Sequence, residues 1–559
     1  MAKHTTGKGA PRPAVPPVVP VPQVPRPRFR EIDVLALLVV AVVIAHTWFA
    51  RQALNPDGVS YLDLAGVLRR GDWSAFVQGY WSPFYPALIA LIGGITGAGH
   101  LGMILIAHLL NGAATLLALA ILWHWARDRH PFVGRAMIAA LLLCSAGLPR
   151  IEAVTPDVLL LALIAALSYE ALAKGGRNWF AIGLLLGLAF LIKTSAWPWL
   201  LVLIPLRLWG ARGRDARVGV LRSTAVCIGL MLLWVVPVSL KYHEATLGSA
   251  GRLNYCWYLE HCDSRTPDTH LGNHRQYREV SLSDSVQMRW VDFDQSLPWT
   301  YAPWSDPTAW DAGVLTTGVT PPCASCTIGY WVEQARLVFG LWLLPLLLAA
   351  VLPLAWLDRR RGMLRELSGF HRDALTWSLA GLAGLAQFIA VHTEPRLIAP
   401  AALLLGLAAI QWLASPPPGS TPPATSPALG ARAIRQLVAS AGLIAVVGFG
   451  ITRFGQAVDG AEHIAGVVAS VSQTNADLAA RGISQDHILV IGPVMPAEPS
   501  IYLAGGHVVA QIPPSSLPAF NALSSLRQSQ LVTQLFGARA RMVWLTTADA
   551  DVRMVIIPQ

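Results

Sequence analysis

Five charged residues stand where charge is informative. Asp57 follows Asn55-Pro56, Glu152 and Asp157 flank Thr155-Pro156, Lys193 interrupts an apolar stretch, and Arg396 closes His392-Thr393-Glu394-Pro395-Arg396. A carboxylate beside a hydroxyl can take its proton, and a cation can hold a departing phosphate. A lysine between Phe190-Leu191-Ile192 and Thr194-Ser195-Ala196 is costly unless it snorkels or meets a partner. A phosphate at leaflet depth is such a partner. Glu394 and Arg396 could instead pair with each other. The acids also have plain structural readings. Asn-Pro-Asp-Gly is a turn, and Asp57 can cap the helix that follows. Thr155-Pro156-Asp157 is an ordinary helix start, with Thr155 as the cap. Asp63 need not share a face with Asp57.

The elements that must position these groups are membrane helices. Of 559 residues, 54% are hydrophobic and only 13% charged, with mean hydropathy +0.49; a soluble protein runs near about 25% charged. A large soluble enzyme and a disordered chain are both excluded. The net charge of +10 fits basic cytoplasmic loops better than nucleic-acid binding. Apolar runs recur from Ile32 onward, and basic clusters near 127–135, 174–177, 207–222, 359–372 and 432–435 separate them. The positive-inside rule puts every short cluster inside if 84–97, a short run carrying Gly93, Gly94 and Gly97, does not cross fully. The expectation is a mainly α bundle of about eleven spans, N-terminus cytoplasmic and C-terminus outside.

The chain then divides as follows. Residues 1–30 form a Pro-rich cytoplasmic tail, disordered or a ligand for an SH3-type module. Residues 31–414 form the transmembrane domain, with outer loops 51–100 and 241–332. A linker (415–433), a last span (434–452) and a small α/β domain (453–559) with a parallel sheet complete it. Residues 59–66 carry an apolar stripe that suits a helix on the membrane surface. Cys256, Cys262, Cys323 and Cys326 lie in the long outer loop. An oxidising compartment favours two local disulfides, with zinc the alternative. Asp57, Asp63, Glu152, Asp157 and Glu394 all gather at one face, the outer mouth of the bundle. A transporter or flippase for a lipid-linked sugar would place ionisable groups near the midplane instead. A third reading is an assembly protein that uses the long loop and tail for partners.

With these residues placed, the chain resembles the GT-C superfamily of polytopic glycosyltransferases, nearest the bacterial protein-mannosyltransferase and lipid A aminoarabinose-transferase type. The resemblance rests on Asp57-Gly58-Val59-Ser60-Tyr61, Trp81-Ser82-Pro83-Phe84-Tyr85-Pro86, Thr155-Pro156-Asp157, Gly187 to Lys193, and Glu394-Pro395-Arg396, over roughly 30–415. It implies a bacterial inner-membrane enzyme that takes a sugar from a polyprenyl-phosphate donor to a glycan, lipid or protein acceptor on the periplasmic face. It makes Asp57 the base, and Asp63, Glu152 and Asp157 holders of the acceptor or of a metal such as Mg or Mn. Lys193 and Arg396 become the donor-phosphate pair, with Tyr61, His392 and Glu394 in support. Protein mannosyltransferases commonly carry an Asp-Glu pair where this chain has Asp57-Gly58, which bears on the acceptor class.

Overall fold

The computed structural model describes residues 31–127, 151–211, 213–260, 277–283, 286–293, 298–310, 324–340, 369–414, 487–492, 498–536, 542–546 and 552–556, with isolated positions between them. The Pro-rich tail, the linker, the last span, Cys262 and Cys323 lie outside the described residues, as do most of the apolar runs at 134–149 and 333–357.

The described part is mainly helical. In the membrane region it comprises α1 (Glu31–Phe49), α2 (Pro56–Arg69), α3 (Trp73–Phe76), α4 (Phe84–Thr96), α5 (His100–Ala126), α6 (Asp157–Ser168), α7 (Trp179–Ile192), α8 (Trp197–Gly210) and α9 (Arg214–Tyr242). The long loop 241–332 adds α10 (Ala250–Tyr255), α11 (Ala302–Ser305) and α12 (Pro307–Trp310); α13 (Ala324–Gly340), α14 (Gly369–Val391) and α15 (Pro395–Ala414) follow. Among the described residues, three stretches are long and apolar enough to cross a membrane: Ile32–Phe49, His100–Ala126 and Arg214–Tyr242. Leu37, Leu38, Leu233 and Leu240 on two of them are exposed, as lipid-facing side chains are. Shorter apolar helices accompany them. One of these is α4, whose 13 residues reach only about 20 Å against a hydrocarbon core of about 30 Å. Gly97 ends it in the left-handed region, at φ 65°.

Small residues set the helix packing. α7 lies against α9, where a Cβ at Gly183 would strike the Ser223 carbonyl and one at Gly187 would stand 2.6 Å from Leu230 Cδ1. Glycines four apart let two backbones approach closely inside a bilayer. One buried core runs through α1, α5, α6, α8, α14 and α15, with Leu122, Leu161, Leu203, Trp377 and Leu403 at its centre. A second sits at the mouth and joins Leu62 of α2, Tyr85 of α4, Ile104 of α5, Phe190 of α7 and Trp304 of α11.

α2 departs from the expected surface helix. Val59, Leu62, Leu64 and Val67 are all buried, because α4, α11 and a helix of the C-terminal segment cover it from several sides. The stripe read from the sequence is only one of its apolar faces. Its cap also differs: Asn55 is the extended cap residue and Pro56 opens the first turn. Asp57 therefore stands inside the helix.

The strands form one six-stranded sheet, in the order β1 (Tyr277–Ser283), β2 (Val286–Asp292), β4 (His507–Ile512), β3 (His487–Ile491), β5 (Met542–Thr546), β6 (Val552–Ile556). β4, β3 and β5 run parallel, and antiparallel pairs complete both edges. β1 and β2 belong to the long loop 241–332, and β2 pairs with β4 at Val291–Gln511 and Asp292–Ala510. The sheet thus sews that loop to the C-terminal segment. Helices α16 (Glu498–Leu503), α17 (Leu517–Asn521) and α18 (Ser525–Phe536) belong to this segment. Phe520, Leu531 and Phe536 cover the sheet beside Trp290 and Leu489.

Candidate active site

Three helix N-termini and one helix C-terminus converge at the mouth. Asp57 is the second residue of α2, Asp157 the first of α6, Arg396 the second of α15, and Lys193 follows the end of α7. Helix N-termini carry partial positive charge and exposed N–H groups, so their meeting favours an anion.

Local bonds hold these ends in place. Asn55 Oδ1 accepts the Val154 amide at 2.9 Å, which ties the start of α2 to the loop before α6. Asn111 Nδ2 donates to the Ala153 carbonyl at 2.9 Å, and His108 Nε2 lies 2.7 Å from the Ala53 carbonyl. Ser82 Oγ accepts the Thr194 amide at 2.9 Å and pins the turn carrying Lys193. Gln334 Oε1 accepts the Thr393 amide at 2.7 Å, and Tyr330 donates to the Val391 carbonyl at 2.9 Å, fixing the turn before α15. Pro156, not Thr155, occupies the cap position of α6. Thr155 Oγ1 is buried with no hydrogen-bond partner among the described residues.

The ion pairs form two linked groups. Arg396 reaches Asp57 Oδ2 through Nη1 at 2.5 Å and Glu394 Oε2 through Nε at 2.6 Å. His392 Nε2 stands 3.3 Å from the other oxygen of Glu394, and the Tyr258 ring stacks flat on His392 at 3.8 Å. Lys193 pairs with Asp157 Oδ1, while Asp157 Oδ2 is buried with no hydrogen-bond partner among the described residues. Arg396 also feels the charge of Asp157, so the groups share one field. Burial opposes the ionisation of Glu394. The His392 hydrogen bond and the Arg396 charge outweigh it and hold the carboxyl well below the usual carboxylate range. Three carboxylates (Asp57, Asp157, Glu394) therefore face two cations, each cation already engaged.

Tyrosines complete the mouth. Tyr61 is buried edge-on to Trp81 and Tyr85, at 5.0 and 5.5 Å. Burial and the Asp157 and Asp57 charges push its phenol well above its ordinary value, so it stays a neutral donor. Tyr80 donates to Asn254 Oδ1 at 3.2 Å, and its phenol is raised by burial and by Tyr258 and Asp57. Burial and Glu394 push Tyr258 up to about 12. Tyr80, Asn254 and Tyr258 stand apart in sequence from every acidic motif, and only the tertiary fold brings them to the mouth.

Two other acids serve different partners. Asp63 accepts from the Thr300 amide at 2.8 Å, the Thr300 hydroxyl at 2.9 Å and the Ser305 hydroxyl at 2.7 Å, so it anchors the long loop on α2. Glu152 meets His46 of α1 at 2.9 Å. No group of three or more His, Cys, Asp or Glu among the described residues could hold a metal ion. The oxygens of Asp63 are taken by hydroxyl and amide donors, and one oxygen each of Asp57 and Asp157 is held by a cation. This donor set does not fit Mg or Mn, which favour several free oxygen ligands. Cys256 is disulfide-bonded. Nothing described bears on the side chain of Cys326.

Gly58 has a steric reason. A Cβ there would stand 2.7 Å from Val154 Cβ and 2.9 Å from Asn55 Oδ1. A second acid after Asp57 has no room where α2 meets the loop before α6.

The described residues form a mainly helical fold, with stretches long and apolar enough to cross a membrane, joined to a mixed sheet. Among solved structures, the chain is similar to ArnT from Cupriavidus metallidurans bound to undecaprenyl phosphate, with TM-score 0.52 and 14% identity over 93% of this chain and 94% of that one. It is similar to the same protein in the apo state at TM-score 0.50 and 14% identity, over 92% and 93%. No family model matches the sequence, and no curated protein matches it.

Proposed function

We propose that this chain is a membrane glycosyltransferase that moves a sugar from a polyprenyl-phosphate donor to an acceptor hydroxyl at the extracytoplasmic face of a bacterial inner membrane. The observation that carries the reading is the Arg396–Asp57 ion pair beside the Lys193–Asp157 pair, at three converging helix N-termini. The ArnT structure that this fold resembles holds undecaprenyl phosphate, a ligand of the charge these cations suit.

The chemistry follows from those pairs. A donor phosphate competes with Asp57 for Arg396 and with Asp157 for Lys193. When it takes the cations, Asp57 is released as a free carboxylate beside the acceptor. The acceptor oxygen then bonds to the anomeric carbon, the bond from that carbon to the phosphate oxygen breaks, and the acceptor proton passes to Asp57. Lys193 and Arg396 hold the charge that grows on the leaving phosphate. Glu394 and His392 keep the Arg396 fork in place, and Tyr61 donates into the same field. One displacement inverts the anomeric centre. No metal takes part in this reading.

The test uses purified protein with a panel of polyprenyl-phosphate sugars and follows release of free polyprenyl phosphate by mass spectrometry. Wild type should release it with the correct donor and acceptor, and Asp57→Asn should not. Equal release by both would remove Asp57 from the role of base. Movement of intact donor across vesicles without phosphate release would favour a flippase.

A further inference from the structure

Helix α16 seats the C-terminal segment on the mouth. Its Ile501 and Tyr502 are buried with Val59, Leu62 and Ile104, and the Tyr502 ring lies 4.8 Å from that of His100. The helix opens on Glu498, which is 0% exposed. Neither of its carboxyl oxygens has a hydrogen-bond partner among the described residues. An ionised carboxylate buried without donors is far more costly than a neutral one.

The neighbours argue the same way. α16 packs on α2, α5 and β4. Among the described residues, the charged and titratable groups near this seam are Asp57, Asp63 and Arg69 from α2, Arg70 just after it, His100 from α5 and His507 from β4. Arg69 donates to the Ala98 carbonyl at 2.6 Å, and His507 Nδ1 faces the Trp299 carbonyl at 2.8 Å. No cation among the described residues pairs with Glu498. Asp63 and Glu498 are thus two buried acids in unequal surroundings. Asp63 has three donors that suit an anion, and Glu498 has none among the described residues.

We infer that Glu498 is a proton-binding site at the seam: α16 docks on α2 with Glu498 as a neutral acid, and the docking loosens as that proton is lost. Burial, then the charges of Asp63 and Asp57, push the Glu498 carboxyl well above its ordinary range. The sign follows from linkage. The docked group holds its proton at a pH where the undocked group, near about 4.3, has released it. Docking is therefore strongest below that value. It weakens about tenfold per pH unit above it, until the docked carboxyl itself ionises. The inference concerns docking, and it stands whatever reaction the mouth performs.

The test uses full-length protein in nanodiscs. Infrared difference spectra at neutral pH should show a protonated-carboxyl stretch in wild type that Glu498→Gln lacks. Hydrogen exchange over residues 498–512, corrected for intrinsic rates, should show the wild-type opening constant rising about tenfold per pH unit relative to Glu498→Gln. Should the Gln variant misfold, Glu498→Met takes its place. The infrared band of wild type must also fade over the same pH range in which protection is lost. Absence of the band, equal pH dependence in wild type and variant, or a band that fades without loss of protection would each overturn the proposal.

Discussion

Asp57 holds a position that a helix cap would not explain. It stands inside α2, and its carboxylate is taken by Arg396 at 2.5 Å. In the proposed reaction Asp57→Asn keeps the shape and removes the base, so turnover should fall about a hundredfold or more with expression unchanged. Phosphate-release kinetics check this. Arg396 serves Asp57 and Glu394 with different nitrogens, which a lysine cannot do from one ammonium. Arg396→Lys should raise the KM for the donor and lower kcat, by about tenfold in kcat/KM; retention of wild-type kinetics would remove the fork from the site. Glu394 supplies a pH test. Its carboxyl is depressed, so its contribution to stability is present above the unfolded value near about 4.3 and is lost as pH falls through the folded one. The Tm difference between wild type and Glu394→Gln should be flat from roughly pH 6 to 8 and shrink below about 4.3.

The elements decide whether those residues meet. α2 fits against the loop before α6 only because residue 58 has no Cβ. Gly58→Ala should therefore shift the start of α2, cost about 1–3 kcal/mol and lower activity with it; thermal unfolding in detergent measures the first effect. Asp63 acts at the same scale. Asp63→Ala leaves the Thr300 amide and two hydroxyls without their acceptor. Unsatisfied buried donors cost about 1–3 kcal/mol each before relaxation. Hydrogen exchange should increase over residues 300–310, and unchanged protection there would show that the loop is held by packing alone.

Across the whole molecule, one sheet couples the long mid-chain loop to the C-terminal segment. Tyr301 of that loop donates to Gln511 Oε1 at 3.1 Å, and Gln511 Nε2 donates to the Gly492 carbonyl at 2.8 Å. Cutting this link by Gln511→Ala should loosen β2 and the residues near Tyr301 together, visible as correlated loss of exchange protection in both segments. The same coupling carries α16, and Glu498 with it, onto the helix that holds Asp57.

Much of this could be read without the structure. Composition and apolar runs require a membrane protein, because uncharged stretches of that length have no other stable solvent. The family resemblance rested on local motifs, and each of them lies where a helix begins or ends, since caps and turns are written in a few adjacent residues. Pairing was not legible. Lys193 meets Asp157 and Arg396 meets Asp57 across long sequence separations, and periodicity carries no information about which helix ends touch. For the same reason Glu498 gave no signal: a buried glutamate is an ordinary residue until its neighbours are known. The hairpin β1–β2 was hidden because its sheet partner, β4, is more than two hundred residues away. Local chemistry names the candidates for a site, and only the packing of distant segments decides which of them share one field.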